Sequence, residues 1–312
     1  MNQVGGHPPR SLHTSFTSGA DDGVGVRRFC SLAVPLVLSC GLVVADERPA
    51  TVAAFMRLDS RTRVVAHRGF SAQAPENTVA AIRRAIEIGA DMAEFDVTVT
   101  ADGHVICLHD ETLDRTTDGR GAATDRTLAE IRRLDAGSWF AAEFAGEPVP
   151  TLAEMLDVAD GRILLNVEIK PEAVSHGVVD AVARLIRDRK MVDRVVVSSF
   201  APEALRQMKV IAPEIVTISL FNDELHDGRD PLEIVMEVGS RGLNLSADRA
   251  TAELVGRCRA HGLPVGVYTV NSKRRMNRMI ALGVHAIFTD RPDRLIGVLA
   301  VRSDAPSTAP GA

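Results

Sequence analysis

Cysteine is nearly absent from the chain. Only Cys30, Cys40, Cys107 and Cys258 occur, none in a CxxC pair, so neither a zinc knuckle nor a disulfide framework is encoded. Cys107 and Cys258 are expected to pack as small buried apolar residues. There is no Lys/Arg-rich block either. Against 41 acidic residues stand 36 basic ones, a net charge of −5, which leaves no basic footprint for a nucleic-acid backbone, and no nucleic-acid partner is expected. No GxGxxG or GxxxxGK[ST] loop is present to favour a nucleotide-binding sheet. The apolar run from Phe29 to Ala45 contains Pro35 and falls short of the roughly 20 residues that a membrane span needs. What remains is an ordinary globular composition, 46% hydrophobic and 25% charged. The 312 residues suffice for two small domains or one α/β barrel of the roughly 250-residue kind.

The two ends of the chain differ from its middle. Residues 1–26 are rich in Gly, Ser, His and Pro without period and would not form a core. Arg27 and Arg28 precede the apolar run, and Val43 and Ala45 precede a polar stretch, which is a secretory signal pattern. Two readings follow: export of the product, or a true translation start near Met56 and a cytoplasmic protein. Cys40, after Val37-Leu38-Ser39, hints at a lipid-attachment cysteine, against which stand the apolar residues that follow it. We therefore divide the chain into a leader and linker over 1–60, a folded unit over 61–299 and a frayed tail over 300–312.

Within that unit, short β-branched runs alternate with amphipathic stretches, the signature of a parallel α/β fold. Strands are expected at Arg63–Gly69, Met92–Val97, Arg162–Lys170, Arg194–Phe200, Ile215–Phe221, Gly242–Ser246, Pro264–Val270 and Ala286–Asp290. Helices fit between them. After Asn77, for instance, Val79, Ile82 and Ile86 share one face, and Gly89 ends the segment. The remaining helices are expected at 151–159, 175–190, 201–212, 230–240, 251–261 and 272–282. Eight strands with intervening helices predict a closed (β/α)8 TIM barrel. A ninth strand, His104–Asp110, follows the turn Ala101-Asp102-Gly103 and predicts a β-hairpin, in which His109 faces Glu94 and Cys107 faces Asp96. Residues 111–150, with the only Trp, Trp139, are too long for an ordinary loop and are read as a small insertion over one end of the barrel.

Strand periodicity singles out the side chains that matter. Glu94 and Asp96 lie two apart, as do Asn166, Glu168 and Lys170, so each set shares a face. Ionised groups inside a barrel cost several kcal/mol each unless paired, protonated or bound to metal. Three carboxylates at a mouth suit a hard divalent cation, Ca²⁺ or Mg²⁺. His67 and His109, at strand ends, are placed to meet over the same mouth, and two imidazoles beside carboxylates are equipped for general acid and base work.

The chain also carries Ala66-His67-Arg68-Gly69, Ala74-Pro75-Glu76-Asn77-Thr78, Glu94-Phe95-Asp96-Val97, His109-Asp110, Leu113-Asp114-Arg115-Thr116-Thr117, Pro150-Thr151-Leu152, Glu168-Ile169-Lys170, Thr269-Val270-Asn271 and Thr289-Asp290. In this order the run, from about 63 to 293, resembles the glycerophosphodiester phosphodiesterase family. The resemblance implies a metal held by Glu94, Asp96 and Glu168, and an acid/base pair in His67 and His109. It further implies that Arg68 contacts phosphate and that Lys170 stabilises charge on phosphoryl oxygens. Asn77 is expected to cap the following helix, and Glu76 is open between a site and a structural role. Tyr268 stands where the family usually has Trp, and would help shape the glycerol end of the pocket. The implied reaction is metal-dependent hydrolysis of a glycerophosphodiester to sn-glycerol 3-phosphate and an alcohol, in lipid and glycerol metabolism. A phospholipase-C- or D-like enzyme on intact lipid or lysolipid, working near a membrane surface, is the near alternative; an inactive binding barrel is the alternative of another class. An amidohydrolase barrel is disfavoured, because it needs a His-x-His after its first strand and this chain has His67-Arg68-Gly69.

Overall fold

A computed structural model describes residues 48–303. The predicted signal, Cys30, Cys40 and the tail beyond 303 lie outside the described residues. The strands are β1 (Arg63–Ala66), β2 (Met92–Val99), β3 (Val105–Cys107), β4 (Leu164–Ile169), β5 (Val195–Ser199), β6 (Val216–Phe221), β7 (Leu243–Ser246), β8 (Val265–Tyr268) and β9 (Ala286–Thr289). The helices are α1 (Val52–Phe55), α2 (Val79–Ile88), α3 (Leu128–Ile131), α4 (Leu152–Ala159), α5 (Val178–Asp188), α6 (Pro202–Ile211), α7 (Pro231–Val238), α8 (Ala252–Ala260), α9 (Lys273–Ala281) and α10 (Pro292–Ser303). All strands but β3 run parallel, in the order β1-β2-β4-β5-β6-β7-β8-β9, and β9 pairs back onto β1. Closure gives each of these eight strands a neighbour on both sides, and the result is the predicted TIM barrel.

Alternation along the strands sorts the core into two layers. Outward residues such as Phe95, Val97, Leu165 and Val167 join the large cluster beneath the helices. Inward ones, among them Val65, Met92, Leu164, Val196, Ile218 and Phe288, fill the lumen. On β2 and β4 the inward series continues Met92, Glu94, Asp96 and Leu164, Asn166, Glu168, so the lumen passes from an apolar floor to a carboxylate mouth within one strand length. The floor is closed by α1, whose Val52 and Phe55 pack into the lumen cluster. His285 Nε2 donates to the Phe55 carbonyl at 2.7 Å, and the two rings meet edge to face. Pattern alone had left these residues with the linker, because four helical residues are too few to show a period. Cys107 and Cys258 are buried and free, as expected.

Three local readings need correction. The hairpin pairs Val97 with Cys107 and Thr98 with Ile106, one residue away from the predicted register. Cys107 therefore does not face Asp96, and His109 lies beyond the ladder. A three-residue strand is too short for its side-chain pattern to fix register against the turn. The cap of α2 is Thr78, whose hydroxyl accepts from Ala81 N at 3.2 Å, and not Asn77, whose amide is engaged at the site. The expected helix over 175–190 also begins as a separate 3-10 turn, Pro171–His176, with Gly177 between it and α5. Residues of the insertion, Leu113, Ala123, Ile131, Ala136 and Val149, form a satellite core with Ile106 and Leu108 of the hairpin. Among the described residues no helix is long and apolar enough to cross a membrane.

Candidate active site

The C-terminal ends of the barrel strands surround a cavity of about 150 Å³, and His67, Arg68, Glu94, Asp96, His109, Glu168 and Tyr268 all line it. Residues from four strand ends and the hairpin thus converge, as the sequence predicted for the carboxylates and the two histidines. Lys170, just past β4, reaches the same cluster. Its Nζ donates to Glu168 Oε1 at 3.1 Å and lies 3.6 Å from Asp96 Oδ1. A larger hollow of about 800 Å³ at the other end of the barrel contains no histidine, and its acids are only Asp193 and Glu214. The candidate catalytic groups gather at the smaller one.

Glu94, Asp96 and Glu168 each offer a carboxylate oxygen within 4.8 Å of the others. Burial, reinforced by Asp96 and Glu168, drives the Glu94 carboxyl well above the ordinary range. Burial and then Asp96 push Glu168 up to about 7, although Lys170 opposes them. Burial would raise Asp96 as well, but Lys170, Arg68, His109 and the Asn77 amide together hold it below its usual value. The cluster thus keeps protons that a cation would displace. Glu94 Oε2 accepts from Arg68 N at 2.9 Å, while Glu94 Oε1 is buried with no hydrogen-bond partner. An all-oxygen donor set with one orphaned oxygen fits a hard divalent ion.

Each histidine is held by its own aspartate. His67 Nδ1 donates to Asp290 Oδ1 at 2.7 Å, and Asp290 is fixed in turn by Asn271 Nδ2 at 2.6 Å and Ser71 Oγ at 3.1 Å. His109 Nδ1 donates to Asp110 Oδ1 at 2.6 Å. With Nδ1 engaged as donor, Nε2 of each ring is the nitrogen left for proton exchange. Burial lowers the His109 pKa, with Lys170 and Arg68 adding to the effect against the pull of Asp96. Arg115 grips Asp110 through Nε at 2.7 Å and Glu76 through Nη1 at 2.9 Å, and Arg68 Nη1 donates to Glu76 at 2.7 Å. Glu76 is therefore the hub of a chain running from Arg68 to His109.

The His67-Arg68-Gly69 turn is held by sterics. Gly69 has φ +78°, and a Cβ there would fall 2.6 Å from the Ala81 backbone, so only glycine lets α2 pack this close. Arg68 and Asn77 also have left-handed backbones, φ +54° and +59°, a strain that recurs at functional sites. Asn77 Nδ2 donates to Asp96 Oδ2 at 2.9 Å, and Asn77 Oδ1 accepts from Asp96 N at 3.0 Å. Tyr268 is anchored through its hydroxyl to the Phe221 carbonyl at 2.7 Å and meets Phe200 edge to face. Sequence reasoning passed over Asn77, Asp110 and Asp290 as site residues. For Asp110 and Asp290 the available signal was a carboxylate just past a strand's C-terminal end, where barrel enzymes carry their chemistry; Asn77, just before α2, had none.

A carboxylate cluster flanked by two aspartate-oriented imidazoles and two cations at a barrel mouth defines an enzyme site for an anionic ester, a hydrolase barrel. The comparisons narrow this class. The profile of the glycerophosphoryl diester phosphodiesterase family matches residues 67–294, and the chain belongs to that family. A glycerophosphodiester phosphodiesterase of Caldanaerobacter subterraneus is 40% identical over 241 residues, spanning 77% of this chain and 98% of the relative. Among solved structures, an Oleispira antarctica phosphodiesterase in complex with the product sn-glycerol-3-phosphate aligns with a TM-score of 0.72 at 31% identity, covering 77% of this chain and 97% of that one. A glycerophosphodiester phosphodiesterase from Agrobacterium tumefaciens aligns at 0.67 and 33%, covering 76% and 99%. The enzyme class is accordingly that of the phosphoric diester hydrolases.

Proposed function

We propose that the protein hydrolyses glycerophosphodiesters to sn-glycerol 3-phosphate and an alcohol with a divalent metal, Ca²⁺ or Mg²⁺, and so acts on the deacylated products of phospholipids. The observation that carries this reading is the convergence of Glu94, Asp96 and Glu168 with His67 and His109 in one cavity, in a chain of this family. Glu94, Asp96 and Glu168 would hold the metal, which when bound supplies Lewis-acid stabilisation of phosphoryl charge. Arg68 and Lys170 neutralise charge on the non-bridging oxygens. One imidazole takes the proton of the attacking hydroxyl and the other gives a proton to the leaving alkoxide, each step worth about 10²- to 10⁴-fold. Asp290 and Asp110 each hold Nδ1 as the donor, so that Nε2 is the nitrogen that accepts the proton in the base and carries it in the protonated acid. Tyr268 shapes the wall against which the glycerol lies. The cavity volume, about 150 Å³, supports a glycerol-sized group over an acylated one.

The test is turnover of glycerophosphocholine against phosphatidylcholine and lysophosphatidylcholine, with Ca²⁺, with Mg²⁺ and after chelation. Metal-restored activity on the deacylated diester is expected. Full activity in a verified metal-free preparation overturns the metal assignment, and preference for the intact lipid overturns the substrate.

A further inference from the structure

A second hollow, about 510 Å³, opens beside the catalytic cavity. The two share His67, Arg68 and Thr269, and Trp139 and Phe140 wall the second. Trp139 is the only tryptophan in the chain and is 41% exposed, yet it is held firmly. Its Nε1 donates to the Ala136 carbonyl at 2.8 Å, its ring meets Phe140 edge to face at 5.7 Å, and Phe140 meets Phe144 likewise at 5.6 Å. Asp135 gathers the loop by accepting from the N–H groups of Gly137, Ser138 and Gly146. Gly137 lies so close under Phe144 that a Cβ would come within 1.8 Å of its carbonyl oxygen. The loop thus holds an indole in a fixed place, facing water, beside the catalytic cavity.

The charged groups of this groove already have partners. Glu76 is bound by Arg68 and Arg115, Asp290 by His67, Ser71 and Asn271, and Arg291 by Asp293. A head group that brings hydroxyl or N–H donors therefore meets few free acceptors. A trimethylammonium group has no N–H to satisfy, sheds water readily and binds to aromatic faces.

We propose that this groove receives the alcohol arm of the diester, and that Trp139 makes it selective for alcohols bearing a quaternary ammonium. The inference rests on the phosphodiesterase reading above. The two arms of a phosphodiester leave phosphorus in different directions, and the two hollows meet at His67 and Arg68. The smaller takes the glycerol and the larger the alcohol.

Two measurements test it. Because Trp139 is the sole indole, titrating the full chain with choline should change its fluorescence saturably, whereas the neutral isostere 3,3-dimethylbutanol should give a much weaker response. In kinetics, Trp139→Ala should lower kcat/KM for glycerophosphocholine by roughly 3- to 30-fold, mainly through KM. Turnover of glycerophosphomethanol should stay within about twofold, and Trp139→Phe should recover much of the loss. An equal loss on both diesters, no saturable response to choline, or an equal response to the neutral isostere overturns the proposal. If the unsubstituted protein cleaves no glycerophosphodiester, the phosphodiesterase reading itself fails, and the choline titration still reports on the groove.

Discussion

Without metal, the carboxylate cluster should make the protein less stable as pH rises, and Glu168→Gln should remove much of that loss. Glu168 has its folded-state pKa raised from 4.5 to about 7, burial being the main cause. Between those values the folded state keeps a proton that the unfolded chain has released, so raising the pH favours unfolding. At 1.36 kcal/mol per pH unit the loss is about 3 kcal/mol, complete above pH 7. For a domain of this size that corresponds to a melting shift of about 6–12 °C. The assay is thermal melting of wild type and variant in chelator at steps from pH 4.5 to 8. The variant should gain on wild type steadily across the window. Ca²⁺ or Mg²⁺ at pH 8 should then raise the wild type far more than the variant, since binding the folded state adds stability by mass action. A gap between the two proteins that is flat with pH would refute the argument, because it would mean that Glu168 binds its proton alike in the folded and unfolded chain.

Other outcomes follow from the same structure. His285, buried against Phe55, has its pKa pushed down to about 4, chiefly by burial. The unfolded chain takes up a proton below 6.5 that the folded one refuses, so about 3 kcal/mol is lost as pH falls from 6.5 to 4; His285→Gln should flatten that acid limb in a denaturant titration. Either His67→Ala or His109→Ala should lower kcat by about 10²-fold or more with melting shifted only a few degrees, and the double variant should lose much less than the product of the two. A nitrophenyl diester should rescue only the variant lacking the proton donor, and near wild-type turnover by a single variant would remove that histidine from the mechanism. Gly69→Ala should cost more than about 2 kcal/mol, read by chemical denaturation, because a Cβ would strike the α2 backbone.

Much of this protein was legible in its sequence because two periodicities carry it. Runs such as Arg194–Phe200 and Pro264–Val270 mark strands wherever the fold places them, and a period of two necessarily puts Glu94 with Asp96, and Glu168 with Asn166, on one face. Which face is inward was settled by the structure, where Phe95, Val97 and Val167 pack on the helix side. What distance along the chain conceals is who meets whom. Asp290 is 223 residues from His67 and Asn77 is 19 from Asp96; neither pairing has a local signature, and Asn77 read as a cap because an Asx residue before a helix ordinarily is one. The hairpin register was lost to a strand of three residues, and the plug at α1 to a helix of four, too short for periodicity to register. The Trp139 groove existed in the sequence only as the aromatics Trp139, Phe140 and Phe144 in an insertion. Strand patterns determined the barrel and the shared face of the carboxylates by local rules, whereas the place of Asp290 beside His67 was decided by barrel closure, which alone brings the ends of β1 and β9 together, and the Glu76 hub and the groove by how the loops after β1 and β3 and the insertion pack over the mouth.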